Sequence, residues 1–194
     1  MSADLVGGIV NMFGGPAIDA LANKVGVPAE MLNKFKPVII GLVVAGIARL
    51  LKQPDGATQM QNLIDTYSQS IGTQTPADFI NNVNPAAAMN LLSTLTGGNS
   101  VDNVVNNLAG ATGIDAGQVT GLLGSVAPLV LAGLGQAQKA DGLSTDQLAA
   151  SIESAVAASP DMAAISYTLD NKPGLMDDLQ RGLGALGGLF GKKS

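Results

Sequence analysis

The chain is cut into short apolar pieces by proline, glycine and capping side chains, and this punctuation most limits what it can fold into. Within the pieces, apolar residues recur three and four apart, as on one face of a helix, rather than alternating as on a strand. Thr75-Pro76, Asn84-Pro85 and Ser159-Pro160 each put a capping side chain before a proline. Proline suits that first helical position, where a missing N–H costs nothing. Ser144-Thr145-Asp146-Gln147 reads as a capping box, with Gln147 returning to the Ser144 N–H. Gly97-Gly98 can close the helix that begins near Pro85. The pattern predicts helices over 3–13, 16–25, 28–51, 56–71, 76–82, 85–96, 100–111, 116–139, 144–158, 160–166 and 174–190. Pro37 and Pro128 are expected to break or kink two of them. Val38-Ile39-Ile40 and Leu129-Val130-Leu131 would suit strands in isolation, but their helical flanks decide against it. The expected fold is all-α, a compact multi-helix bundle in one domain over 1–194. With 25 glycines, helix propensity is weak, so packing must hold the helices in place.

Two segments repeat each other. Leu21-Ala22-Asn23-Lys24-Val25-Gly26-Val27-Pro28-Ala29 matches Leu108-Ala109-Gly110-Ala111-Thr112-Gly113-Ile114-Asp115-Ala116 as Leu-Ala-x-x-x-Gly-(Val/Ile)-x-Ala. An apolar helix, a proline and a further apolar run follow each copy: Pro37-Val38-Ile39-Ile40-Gly41 and Pro128-Leu129-Val130-Leu131-Ala132. Gly26 and Gly113 suit the left-handed conformation that ends a helix, after which Pro28 or Asp115 starts the next. The bundle is therefore expected to contain two related helix-turn-helix-plus-apolar-helix units, about 16–52 and 103–139. Gly41, Ala45 and Gly46 in one copy, and Ala132, Gly133 and Gly135 in the other, would let helices approach closely.

The paired segments resemble the YidB-like family of bacterial proteins, a family of unknown function. The ending Leu169-Asp170-Asn171-Lys172-Pro173-Gly174-Leu175-Met176-Asp177-Asp178-Leu179 and the Gly/Leu tail after it are similar to that family's ending. The resemblance implies an all-helical bacterial protein with no established activity. The family's ending often looks like a calcium loop, which needs several oxygens at alternate positions and a glycine for the turn. Here Asp170 matches the first ligand, but Lys172 stands where the second acid belongs and Pro173-Gly174 shortens the loop. No metal is expected.

Composition removes most catalytic chemistry. The chain has no cysteine, histidine or tryptophan. Thiolate zinc sites, disulfides, thiol nucleophiles, imidazole bases and Ser-His-Asp triads are therefore excluded. Carboxylates, Lys, Tyr and Ser remain, and no arrangement of them points to a reaction. Asp161 with Asp177-Asp178 reads as helix-start dipole partners rather than an acid/base pair. Gly182-Leu183-Gly184-Ala185-Leu186-Gly187 fits G-x-G-x-x-G but follows no strand and lacks the later acid. Gly191-Lys192-Lys193-Ser194 lacks the first P-loop glycine, because Leu186 occupies that position. No enzyme and no cofactor are expected.

Charge is sparse and unevenly placed. Charged residues make up 13% of the chain, and the net charge is −5. Residues 1–52 carry +2 and residues 139–194 carry −2. Between Lys52 and Lys139 there is no cation, and Asp55, Asp65, Asp78, Asp102 and Asp115 give −5. That acidic middle would repel phosphate. As a DNA-binding unit, copy one would offer Glu30, Asn33, Lys34 and Lys36, whereas copy two would offer Gly117, Gln118, Thr120 and Gly121 with no cation. Nucleic acid is therefore not the expected partner.

No basic region precedes the first apolar residues, so no secretory signal is read, and a cytoplasmic, bacterial location is expected. The longest wholly apolar run, Val38 to Ala48, has 11 residues, against ~20 for a membrane span. Ala116 to Gln138 is long and uncharged, but polar residues and Pro128 interrupt it, so a buried core helix is expected instead of a span. Residues 167–194 are expected to form a C-terminal helix and glycine-rich tail. Leu183, Leu186, Leu189 and Phe190 are the candidate docking residues of that tail. The function expected is protein interaction or self-assembly as a homo-oligomer or with another protein, and the alternative is a helix-turn-helix nucleic-acid-binding regulator. Neutral amides and hydroxyls enter an interface at less desolvation cost than charges, which favours the first.

Overall fold

A computed structural model describes residues 8–9, 11–96 and 101–158. Among them it shows eight long or medium helices and no strand, so the fold is all-α. The helices are α1 (Gly15–Val25), α2 (Ala29–Leu51), α3 (Gly56–Ile71) and α4 (Pro76–Asn82), followed by α5 (Pro85–Thr96), α6 (Val101–Thr112), α7 (Ala116–Asp141) and α8 (Thr145–Ala158). Residues 8, 9, 11 and 12 are also helical, and Ile9 and Phe13 are buried. The expected helices over 160–166 and 174–190 lie outside the described residues.

Side-chain caps start four of these helices. Thr75 Oγ1 accepts from the Asp78 N–H at 3.2 Å, with Pro76 behind it. Asn84 Oδ1 accepts from the Ala86 N–H at 2.9 Å. Asp115 Oδ1 accepts from the Gly117 N–H at 2.8 Å, and Gln118 Oε1 accepts from the Asp115 N–H at 3.3 Å. Ser144 and Gln147 exchange the same pair of bonds at 3.2 and 2.9 Å at the start of α8. Each such cap satisfies donors that a helix start leaves unpaired.

One apolar core draws side chains from all eight helices. Its axis is α7, in which every residue from Leu122 to Gly135 is buried. A helix that is apolar all round must be wrapped on every side. Each of α1 to α6 packs against α7, while α8 lies on α2 and α3. By length and composition α7 would also cross a bilayer, but 78% of its most apolar stretch is buried inside the fold. Gly135 brings α3 close: an added Cβ would stand 2.7 Å from Ser68 Cβ and 2.9 Å from Ile64 Cγ2.

The two prolines do not break their helices. α2 runs through Pro37 and α7 runs through Pro128. An internal proline removes one backbone bond and costs ~3 kcal/mol in isolation. Burial of Ile39, Ile40 and Val43 in α2, and of the turns on both sides of Pro128, offsets that loss.

Candidate functional site

The two repeated turns have the same backbone form. Gly26 has φ 70° and Gly113 has φ 71°. The Gly26 N–H donates to Ala22 O at 2.9 Å, and the Gly113 N–H donates to Ala109 O at 2.8 Å. The next residues, Val27 and Ile114, turn back into the core. Pro28 and Asp115 then sit extended before α2 and α7. At φ near 70° a side chain costs ~1–2 kcal/mol. Gly26→Ala and Gly113→Ala are each expected to lose about that much stability in denaturant melts. Gly110→Ala, three residues before the second turn and inside α6, is expected to gain about 0.5–1 kcal/mol. Nothing lies within 4 Å of its added Cβ, and alanine is the better helix former.

The turns also touch. Gln118 Nε2 donates to Gly26 O at 2.8 Å, across 92 residues of chain. The same side chain closes the α7 capping box, so both ends of its amide are engaged. Thr120 Oγ1 donates back to Ala116 O at 2.9 Å. On the other unit, Lys36 Nζ donates to Phe13 O at 3.3 Å, and Lys34 Nζ lies 5.7 Å from the centre of the Phe35 ring. Glu30, Asn33 and Lys34 are exposed. Sequence spacing offers Gln118 as a base-reading side chain and carries no sign of its contact with Gly26.

Lys24 joins α1 to the end of α4. Its ammonium donates to Ile80 O, and to Val83 O at 3.2 Å. A cation there meets carbonyls that a helix C-terminus leaves open. Burial lowers the Lys24 pKa from the ordinary lysine value. A second polar seam ties three helices: Gln138 Nε2 donates to Gln61 Oε1 at 2.9 Å, Gln61 Nε2 returns to Gln138 Oε1 at 3.3 Å, and Thr145 Oγ1 donates to Gln61 Oε1 at 2.8 Å.

A family model described as bacterial protein of unknown function (DUF937) matches residues 8–137. The chain belongs to that family. The YidB-like label names the same family. The family match takes in α1 to α6 and most of α7, and it ends one residue before Gln138. No curated protein and no solved structure matches the chain.

Among the described residues, no group of three or more acidic side chains gathers to hold a metal. One small apolar cavity of about 20 Å³ lies among Leu42, Leu92, Leu95, Val101, Val104 and Leu123. Another of about 10 Å³ lies beside Phe13, Leu32 and Leu122. Both are on the scale of one or two waters, and their walls are mainly apolar. Tyr67 is half-buried, and burial raises its pKa from the ordinary tyrosine value. The candidate docking residues Leu183, Leu186, Leu189 and Phe190 lie outside the described residues. The same holds for Tyr167, the Asp170 loop, the Asp161 and Asp177-Asp178 group, and the glycine-rich motifs.

Proposed function

We propose that this chain is a non-enzymatic protein-interaction or self-assembly protein. The observation that supports it is the character of its surface. From Gly56 to Gln138 there is no cation, and the outward positions of α3 and α5 are mainly uncharged: Asn62, Thr66, Gln69, Asn90, Ser93 and Thr94. Among the described residues Met89, at 38% exposed, is the one large apolar side chain that stands out into solvent. Such a surface keeps water through amides and hydroxyls. It can be covered by a second protein without stripping charges of their hydration. A second copy meets no strong like-charge repulsion at the uncharged stretch from Phe79 to Val101. Native mass by light scattering is expected to rise across a concentration series. A single monomer mass up to high concentration would overturn self-assembly.

We also propose that α1 with α2, and α6 with α7, are two copies of one structural unit. The shared φ of Gly26 and Gly113, the matching carbonyl acceptors and the buried Val27 and Ile114 support this. In this reading the paired turns are a scaffold. Gln118 and Thr120 are engaged within the fold, and copy two brings no cation to a phosphate backbone. The alternative nucleic-acid reading uses the same turns and predicts retardation of a random duplex at low salt, strengthened by Glu30→Lys. The scaffold reading predicts no retardation.

A further inference from the structure

The N-terminal half of α2 carries two apolar rows. Leu32, Ile39, Ile40 and Val43 are buried in the core. Beside them Met31, Phe35, Val38 and Leu42 step by four, three and four, which sets them in one line along the helix. All four pack against the core, yet each is only half-buried. Past Leu42 the line is closed over: Leu42 borders the cavity shared with Leu92 and Val101, and Gly46 lies under Leu95, whose Cβ would be 3.2 Å from an added Cβ. The open end of the row is therefore its beginning, beside Glu30.

We propose that the C-terminal segment of the same molecule seats on this row. Residues 159–194 follow α8, and within them Leu179, Leu183, Leu186 and Phe190 step by four, three and four. On a helix they make one apolar line of the same length as the α2 row, ~16 Å. Two such lines pack as a short helix-helix seam. The ends decide the direction. A parallel seat would drive Lys192 and Lys193 toward Val43–Ala48, all of which are buried. An antiparallel seat leaves both lysines in water beyond the start of α2, where exposed Glu30 and exposed Lys34 balance in charge, so the room at that end rather than its charge sets the direction. It sets Phe190 on Met31, Leu186 on Phe35, Leu183 on Val38 and Leu179 on Leu42. The 20 residues from 159 to 178 reach ~66 Å when extended, well beyond the ~35 Å of α2. A tethered segment that can reach its seat acts at millimolar effective concentration, which favours the same chain over a neighbour. This seat does not depend on the self-assembly reading, and a chain that stays monomeric can still have it.

The absence of cysteine makes the test clean. Full-length Phe35→Cys/Leu186→Cys, oxidised in dilute solution, is expected to close a disulfide within one molecule. Its yield should be about tenfold above that of Phe35→Cys/Leu183→Cys, because cysteines out of register stand too far apart to bridge. Equal yields in the two pairs, or disulfides formed only between molecules, would overturn the proposal; the latter would instead place a second copy on the row. Should the cysteine variants fail to fold, Leu183→Asp/Leu186→Asp decides. Amide exchange over residues 31–42 is expected to rise about tenfold in that variant. Unchanged exchange overturns the seat.

Discussion

Gly56→Ala is expected to destabilise the fold by about 2–3 kcal/mol and to lower Tm by about 5–10 °C. Gly56 opens α3 directly after the turn that leaves α2, and its N–H donates to Gln53 O at 2.9 Å. That turn folds tightly enough to press Gly56 against the end of α2. An added methyl would fall inside van der Waals contact of the Leu50 carbonyl oxygen. It would also stand 2.8 Å from the Leu50 carbonyl carbon and the Leu51 Cα. All of these are backbone atoms, so no side chain can swing aside, and α2 and α3 must shift together. Alanine returns ~0.4–1 kcal/mol through the unfolded state, which is smaller than the clash. Thermal and denaturant melts against wild type measure the difference. A loss below ~0.5 kcal/mol would show that the turn can open freely.

Gly135→Ala is expected to cost about 2 kcal/mol, at the seam where α3 crosses α7. The new Cβ would lie 2.7 Å from Ser68 Cβ and 2.9 Å from Ile64 Cγ2. Ser68 is itself buried, so the two helices meet there through small groups on both sides. A double-mutant cycle separates this contact from general damage. Ser68→Gly removes the nearest opposing atom, and in that background Gly135→Ala should lose about half its cost, with Ile64 accounting for the rest. Additive effects would show that the strain is taken up elsewhere.

The helices were legible because their starting signals are local. Thr75-Pro76 and Ser144 with Gln147 lie within four residues of what they cap, and the expected 76–82 coincides with α4. Pro37 and Pro128 were expected to break or kink their helices, and neither helix is broken. The cost of an internal proline is visible in one residue, while the packing that offsets it comes from neighbours far along the chain. The contact of Gln118 with Gly26 was illegible for the same reason. It joins residues 92 apart, and short-range spacing reveals only that Gln118 is three residues after Asp115. Gln53-Pro54-Asp55-Gly56 marks a turn, but nothing in that short motif tells that the turn presses Gly56 against the Leu50 backbone.

The buried run of α7 has a consequence for how the chain acquires its shape. Six of the helices that wrap this axis come earlier in the chain, and the axis itself spans residues 116–141. During synthesis the first 115 residues emerge as the walls of a room whose central column is still missing. Their inward apolar faces have no α7 to meet and are open to wrong partners until it arrives. Consolidation must therefore wait for the late helix, which makes the fold dependent on contacts distant in sequence and slows it relative to a bundle that closes pair by pair.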